Sequence, residues 1–281
     1  MTAAADRSTK HWESGVAVSI EVTVPNFGSK HRASWLALLE LAEVFSIQKN
    51  GEAQWAVFGG QMVVLHAAEH GVSVPTDRET TDGGVIANVR VTQHALRELS
   101  RQLERLGFEH LAGPQGQGHR FVRGAASIDV LAPDNLGKRA RLTTINGLAT
   151  VEAPGGTQAL NRSEAIDVTV GEMTGTIMRP SLLGAILAKI AAASLPGSDR
   201  HLRDAALLLT LVDDPLQLAE QLTSSERRRL RAHGNLGDFG SVQWLNIPSP
   251  ERGVATYQLL VAGAAGRNFR TRNSNFRIRN R

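Results

Sequence analysis

The hydrophobic pattern changes period near residue 178, and that change restricts the fold more than any other feature. Before it, apolar residues come in short runs divided by glycine-bearing turns. Val16, Val18, Ile20, Val22 and Val24 alternate strictly, as one buried face of a strand requires. Residues 33–46 carry apolar positions at helical spacing. The run QWAVFGG (54–60) reads as a strand ending in two glycines, and residues 61–71 follow as a helix closed by Gly71. Residues 84–91 read as a strand. Residues 92–108 read as a helix with Leu96, Leu99, Leu103 and Leu106 in one stripe, Thr92 as N-cap and Gly107 at its end. Residues 119–133 (HRFVRGAASIDVLAP) form a hairpin pattern turning at Arg123-Gly124. Residues 135–178, rich in Thr, Gly and Val, suggest strands or loops whose pairing the pattern leaves open.

From Pro180, which suits a first helical turn, the pattern is helical. The segments are 181–193, 198–212, 214–222 and 224–234, the last with Thr223 or Ser224 as cap. The expected architecture is α+β: a mixed sheet with flanking helices, followed by a helical bundle. The expected divisions are an N-terminal strand extension (1–32), an α/β domain (33–178), a helical domain (179–240) and a C-terminal extension (241–281).

Composition narrows the chemistry. None of the 281 residues is cysteine, which excludes a disulfide framework, a zinc–thiolate site and a thiol nucleophile. No apolar run approaches the roughly 18 residues of a membrane span, so a soluble, cytoplasmic chain with no membrane partner is expected. The net charge is +4, yet the last fifteen residues hold six arginines and no acid, leaving the rest near −2. That tail interleaves Arg with Phe269 and Phe276. It suits phosphate pairing and base stacking, and equally a solvated terminus.

Four features could carry chemistry. Gly59-Gly60 lies where a strand meets a helix; without Cβ atoms the backbone admits a phosphate, and the helix N-terminus offers N–H donors. A double glycine is also an ordinary turn. Asp82 stands at the mouth of the next strand, where a carboxylate can ligate Mg²⁺ or simply make a turn. Asp129 interrupts an apolar strand, sharing a face with Ser127 while Ile128 and Val130 face the other way. Such a carboxylate is costly unless paired or metal-bound. Lys189 lies on an almost wholly apolar helix and Asp204 on the next one. The plain readings are a snorkelling lysine and an Arg200–Asp204 surface pair. His66 and His70, four apart on one helix, have no third metal ligand and read as a polar edge. No Ser-His-Asp motif is present.

Taken in order, Gly59-Gly60-Gln61, the R-x-T-x-D of Arg78 to Asp82, SIDVLAP at 127–133 and Lys189 with RHLRD at 200–204 resemble nucleotidyltransferases of the AbiEii/MenT type. These belong to the DNA polymerase β-like superfamily, and many are toxins of toxin–antitoxin pairs. The resemblance covers residues 50–235 and implies a nucleotidyltransferase-like mixed sheet. It further implies that Gly59, Gly60, Arg78 and Thr80 hold the triphosphate of an NTP. Asp82 and Asp129 would hold Mg²⁺, Lys189 would contact phosphate, and Asp204 would complete a catalytic set of Asp82, Asp129, Lys189 and Asp204. The implied reaction moves NMP from the NTP to an RNA, tRNA foremost, or to a protein hydroxyl, with a cognate antitoxin as partner. Gly60 stands where many superfamily members carry Ser. Gly84 stands where the family has its second acid. That substitution opens a second reading, a degenerate member that binds nucleotide or RNA without turnover. A small-molecule (antibiotic) nucleotidyltransferase is a third.

Overall fold

A computed structural model describes residues 20–74, 82–113, 116–137, 142–195, 197 and 199–263. Val16, Val18, Arg78, Thr80 and the arginine-rich tail lie outside the described residues. The chain is mixed α/β, with strands concentrated in its N-terminal half and helices in its C-terminal part.

The main sheet runs in the order β4 (Trp55–Phe58), β5 (Gly83–Ala87), β8 (Ala126–Pro133), β7 (Arg120–Arg123), β6 (Glu109–Leu111), with β9 (Glu152–Ala153) added to the far end of β8. β5 runs parallel to β8; β4 and β7 run antiparallel to their neighbours. A second sheet joins β1 (Glu21–Thr23) to the hairpin β10 (Ser163–Val170) and β11 (Met173–Pro180). β2 (Gln48–Lys49) and β3 (Glu52–Ala53) form a small separate hairpin.

The period of two in each strand sorts its side chains to two cores. Trp55, Val57, Val85, Ile128 and Val130 face one core, under α1 (Ser29–Val44) and α3 (Ala95–Arg105), with Trp35, Leu38 and Leu99. Ala56, Phe58 and Ile86 face the other, shared with α2 (Gly60–Glu69), α5 (Leu182–Ala192) and α6 (Asp199–Thr210). Asp129 also points to this second side, toward the helical part.

The short α4 (Gly156–Leu160) and α6 each pack on α5, and α7 (Pro215–Glu220), α8 (Ser224–Arg231) and α9 (Pro250–Ala262) complete the helical body. α9 comes from residues assigned by pattern to a C-terminal extension, yet Tyr257 and Leu260 are buried in the second core. Likewise residues 21–32 supply β1 and the start of α1.

Local chemistry moves several boundaries. Pro180 ends β11 instead of opening a helix; Ser181 is the N-cap of α5, accepting from the Gly184 N–H. Thr92 is not a cap, because its hydroxyl donates to Gln54 Oε1 at 3.2 Å and α3 begins at Ala95. The strand expected over 84–91 stops at Ala87, where the Asn88 amide donates to the Ala53 carbonyl and turns the chain. His66 is 1% exposed and bonded to the Pro180 carbonyl at 2.9 Å, so it is a core residue and not a polar edge. No helix among the described residues is long and apolar enough to cross a membrane.

Candidate functional site

One cleft of about 550 Å³ opens between the second face of the main sheet and the C-terminal end of α5. Its volume lies within the range of small-molecule sites. Gly59 and Gly60, Asp82, Gly84, Arg120, Asp129, Lys189, Arg200 and Asp204 all line it. The six described residues singled out as catalytic or phosphate-binding are therefore brought together from five separate stretches of chain. Arg78 and Thr80 lie outside the described residues.

The glycine turn is shaped by backbone geometry. Gly59 has φ +77° and ψ −136°, a conformation that an L side chain rarely adopts, and α2 starts at the next residue. An added Cβ at Gly59 would meet nothing within 4 Å, so its surface is open to the cleft. The first N–H groups of α2 thus reach a space that a phosphate could enter.

Sheet register builds the acidic part. Phe58 pairs with Gly84, Gly84 with Asp129, and Asp129 with Arg120, giving a row across four adjacent strands. Arg120 consequently faces Asp129 across a ladder and forks it: Nε donates to Oδ1 and Nη2 to Oδ2, both at 2.8 Å. Nη2 also donates to Asp82 Oδ2 at 3.1 Å. The hydrogen bonds and charge of Asp129, helped by Asp82, hold the guanidinium even more firmly protonated than usual against the opposing effect of partial burial. This answers how an apolar strand tolerates Asp129.

The helical wall carries a second pair. Lys189 Nζ donates to Asp204 Oδ2 at 2.7 Å, and each side chain is only 6% exposed. Lys189 therefore does not snorkel outward; its ammonium stays at the cleft wall, paired across two helices. A buried pair of this kind adds little net stability, whereas losing one partner strands the other.

The described residues of the cleft do not fit a metal cage. Three of the four carboxylate oxygens of Asp82 and Asp129 accept hydrogen bonds from Arg120. Among the described residues no group of three His, Asp or Glu side chains is placed to hold a cation. Nor can Gly84 have a side chain at little cost, since a Cβ there would lie 2.8 Å from the Phe58 carbonyl oxygen and 3.3 Å from its carbon. Two carboxylates clamped by a guanidinium are a poor substitute for the oxygen shell that Mg²⁺ demands.

Sequence reasoning missed Arg120. The signal was the hairpin register: the turn occupies Gly124-Ala125, with Arg123 paired to Ala126, which sets Arg120 against Asp129. Placing the turn one residue earlier sets Arg120 against Ser127 and hides the fork. No protein-family model, curated protein or solved structure matches the chain.

Proposed function

We propose that the cleft binds a nucleoside triphosphate and that the chain is a nucleotidyltransferase, moving NMP to a hydroxyl of an RNA, tRNA foremost, or of a protein. The observation that carries this reading is the convergence of the Gly59-Gly60 turn, Asp82, Asp129 and the Lys189–Asp204 pair on one cleft. In it, the N–H groups at the start of α2 bind phosphate oxygens. Lys189, held in place by Asp204, and Arg200 offset phosphate charge. The acceptor hydroxyl attacks the α-phosphorus in line with the departing pyrophosphate, and positioning with charge stabilisation supplies most of the rate. A second reading, nucleotide binding without turnover, is favoured by Arg120 in the acidic pair and by the packed backbone around Gly84.

The test uses α-phosphate-labelled NTPs with total RNA and with cell protein, alongside equilibrium binding of the same nucleotides. Label transfer that falls at least about a hundredfold in both Lys189→Met and Asp129→Asn supports the transferase, a loss in the range for removing a charge-stabilising group. Saturable binding without transfer selects the second reading. Absence of both binding and transfer rejects the two together.

A further inference from the structure

We propose that the start of α1, with the turn leading into it from β1, forms a pocket for a single phosphate group, bound by the His31 Nδ1–H and the Arg32 guanidinium. The pocket is separate from the large cleft, since no residue lines both, and it does not rest on the transferase reading.

A cavity of about 140 Å³ lies between that turn and the β10–β11 turn, with Pro25, Asn26, His31, Arg32 and Gly171 in its lining. It is well below the several hundred Å³ of sites that take a whole small molecule, and suits one small group.

His31 is 1% exposed, and its two ring nitrogens have opposite roles. An indole N–H can only donate, so Nε2 accepts from Trp35 at 2.9 Å and the proton of the neutral ring sits on Nδ1. Burial keeps the ring neutral. Nδ1 is itself buried, and nothing among the described residues accepts its proton. A buried donor without an acceptor is rare and costly, so the ring calls for an oxygen.

α1 also starts against its own dipole. Its N-cap, Gly28, has no side chain to cap the first turn, and that turn holds Lys30, His31 and Arg32 but no acid. Asn26 Oδ1 accepts only the Gly28 N–H, at 3.1 Å. The unpaired N–H groups and the positive end of the helix favour negative charge here, the reverse of what the sequence supplies. A local rule broken this way is expected where a site is built.

Arg32 is exposed and makes no side-chain hydrogen bond or ion pair among the described residues. Its guanidinium lies against Gly171, with Nη2 2.8 Å from where a Cβ would stand. Gly171, already suited to its φ of +67°, thus gives the planar fork room beside the cavity. A ring N–H, a guanidinium and a helix N-terminus together suit a tetrahedral oxyanion better than a carboxylate, which has two oxygens in one plane to share among them.

The experiment follows the His31 ring nitrogens by nitrogen NMR in the full chain, the signals being assigned by their loss in His31→Gln. Inorganic phosphate, added at constant pH and ionic strength, should shift them saturably, and acetate should bind at least about tenfold more weakly. Arg32→Gln should weaken phosphate binding at least about tenfold, whereas Lys30→Gln, which removes a charge of the same turn from outside the cavity lining, should weaken it less than about threefold. A purely structural His31 gives no saturable shift, and that result overturns the proposal. So do equal losses in Arg32→Gln and Lys30→Gln, or acetate binding as tightly as phosphate. If circular dichroism finds Arg32→Gln unfolded, Arg32→Lys carries the comparison, since it keeps the charge and loses the fork: weaker binding supports the pocket and unchanged binding rejects it. Phenyl phosphate separates the sources, because binding as tight as inorganic phosphate assigns the pocket to the phosphate end of a larger molecule, and exclusion of the ester assigns it to the free ion. The signal comes from the His31 ring, so phosphate entering the large cleft does not register, and failure here is read apart from failure of nucleotide binding.

Discussion

Gly84 decides more at the scale of single residues than its lack of a side chain suggests. It lies on the cleft face of β5 between Phe58 and Asp129, and the Phe58 carbonyl comes within 2.8 Å of where its Cβ would be. Backbone cannot yield as a flexible side chain can. Gly84→Ala should therefore cost about 1–3 kcal/mol through overpacking, lowering Tm by roughly 2–4 °C per kcal/mol for a chain of this size. Thermal melting checks this, and an unchanged Tm would refute the close approach. Gly84→Asp, which would set a second carboxylate two residues after Asp82, meets the same obstacle and should be at least as destabilising.

Among the elements, α8 shows how a local signal and a distant partner combine. Thr223 Oγ1 accepts from the Glu226 N–H while Glu226 accepts from the Thr223 N–H at 2.9 Å, a reciprocal cap legible in T-S-S-E. The tertiary fold then uses Glu226 again, pairing it with Arg162 at 3.0 Å beside the start of β10. Thr223→Ala should cost about 1 kcal/mol and Thr223→Ser almost nothing. Denaturant midpoints with an unchanged slope check this; equal losses in the two variants would disprove the cap. By contrast, Pro180 and Thr92 mislead because each local preference is overruled by a longer-range bond. Pro180 completes the β10–β11 ladder opposite Ser163, and Thr92 is recruited by Gln54.

Across the molecule, two histidines buried among the described residues, His31 and His66, set a pH dependence. Burial pushes His31 down to about 4, and its Nε2 accepts the Trp35 indole N–H at 2.9 Å, a bond that protonation of that nitrogen would abolish. His66 is also lowered, chiefly by burial, with the Arg179 charge adding, and the neighbouring Glu69 carboxylate and the bond to the Pro180 carbonyl opposing. The unfolded chain takes up protons at both positions below the ordinary value near 6.5, whereas the native chain resists. Stability is therefore fully present above about pH 6.5 and, for His31, declines as pH falls toward 4. Melting temperatures should drop between pH 7 and pH 4.5, with a shallower fall in His31→Gln, whose amide can accept the same indole bond without titrating. An identical slope in wild type and variant would exclude His31 as a source.

Sequence alone determined what local periodicity and capping can encode. The alternation in β8 placed Asp129 opposite Ile128 and Val130, the apolar run of α5 made Lys189 conspicuous, and the change of period near residue 178 separated strands from helices. It could not settle quantities that depend on pairing between distant segments. Strand register turned Arg120 onto Asp129 and Asp82, helix packing turned Lys189 onto Asp204, and the approach of β4 to β5 filled the space beside Gly84. The physical reason is range. Propensities and hydrophobic period act over a few residues, whereas charge pairing and steric exclusion act between whatever atoms the fold brings within a few ångströms, however far apart they lie along the chain.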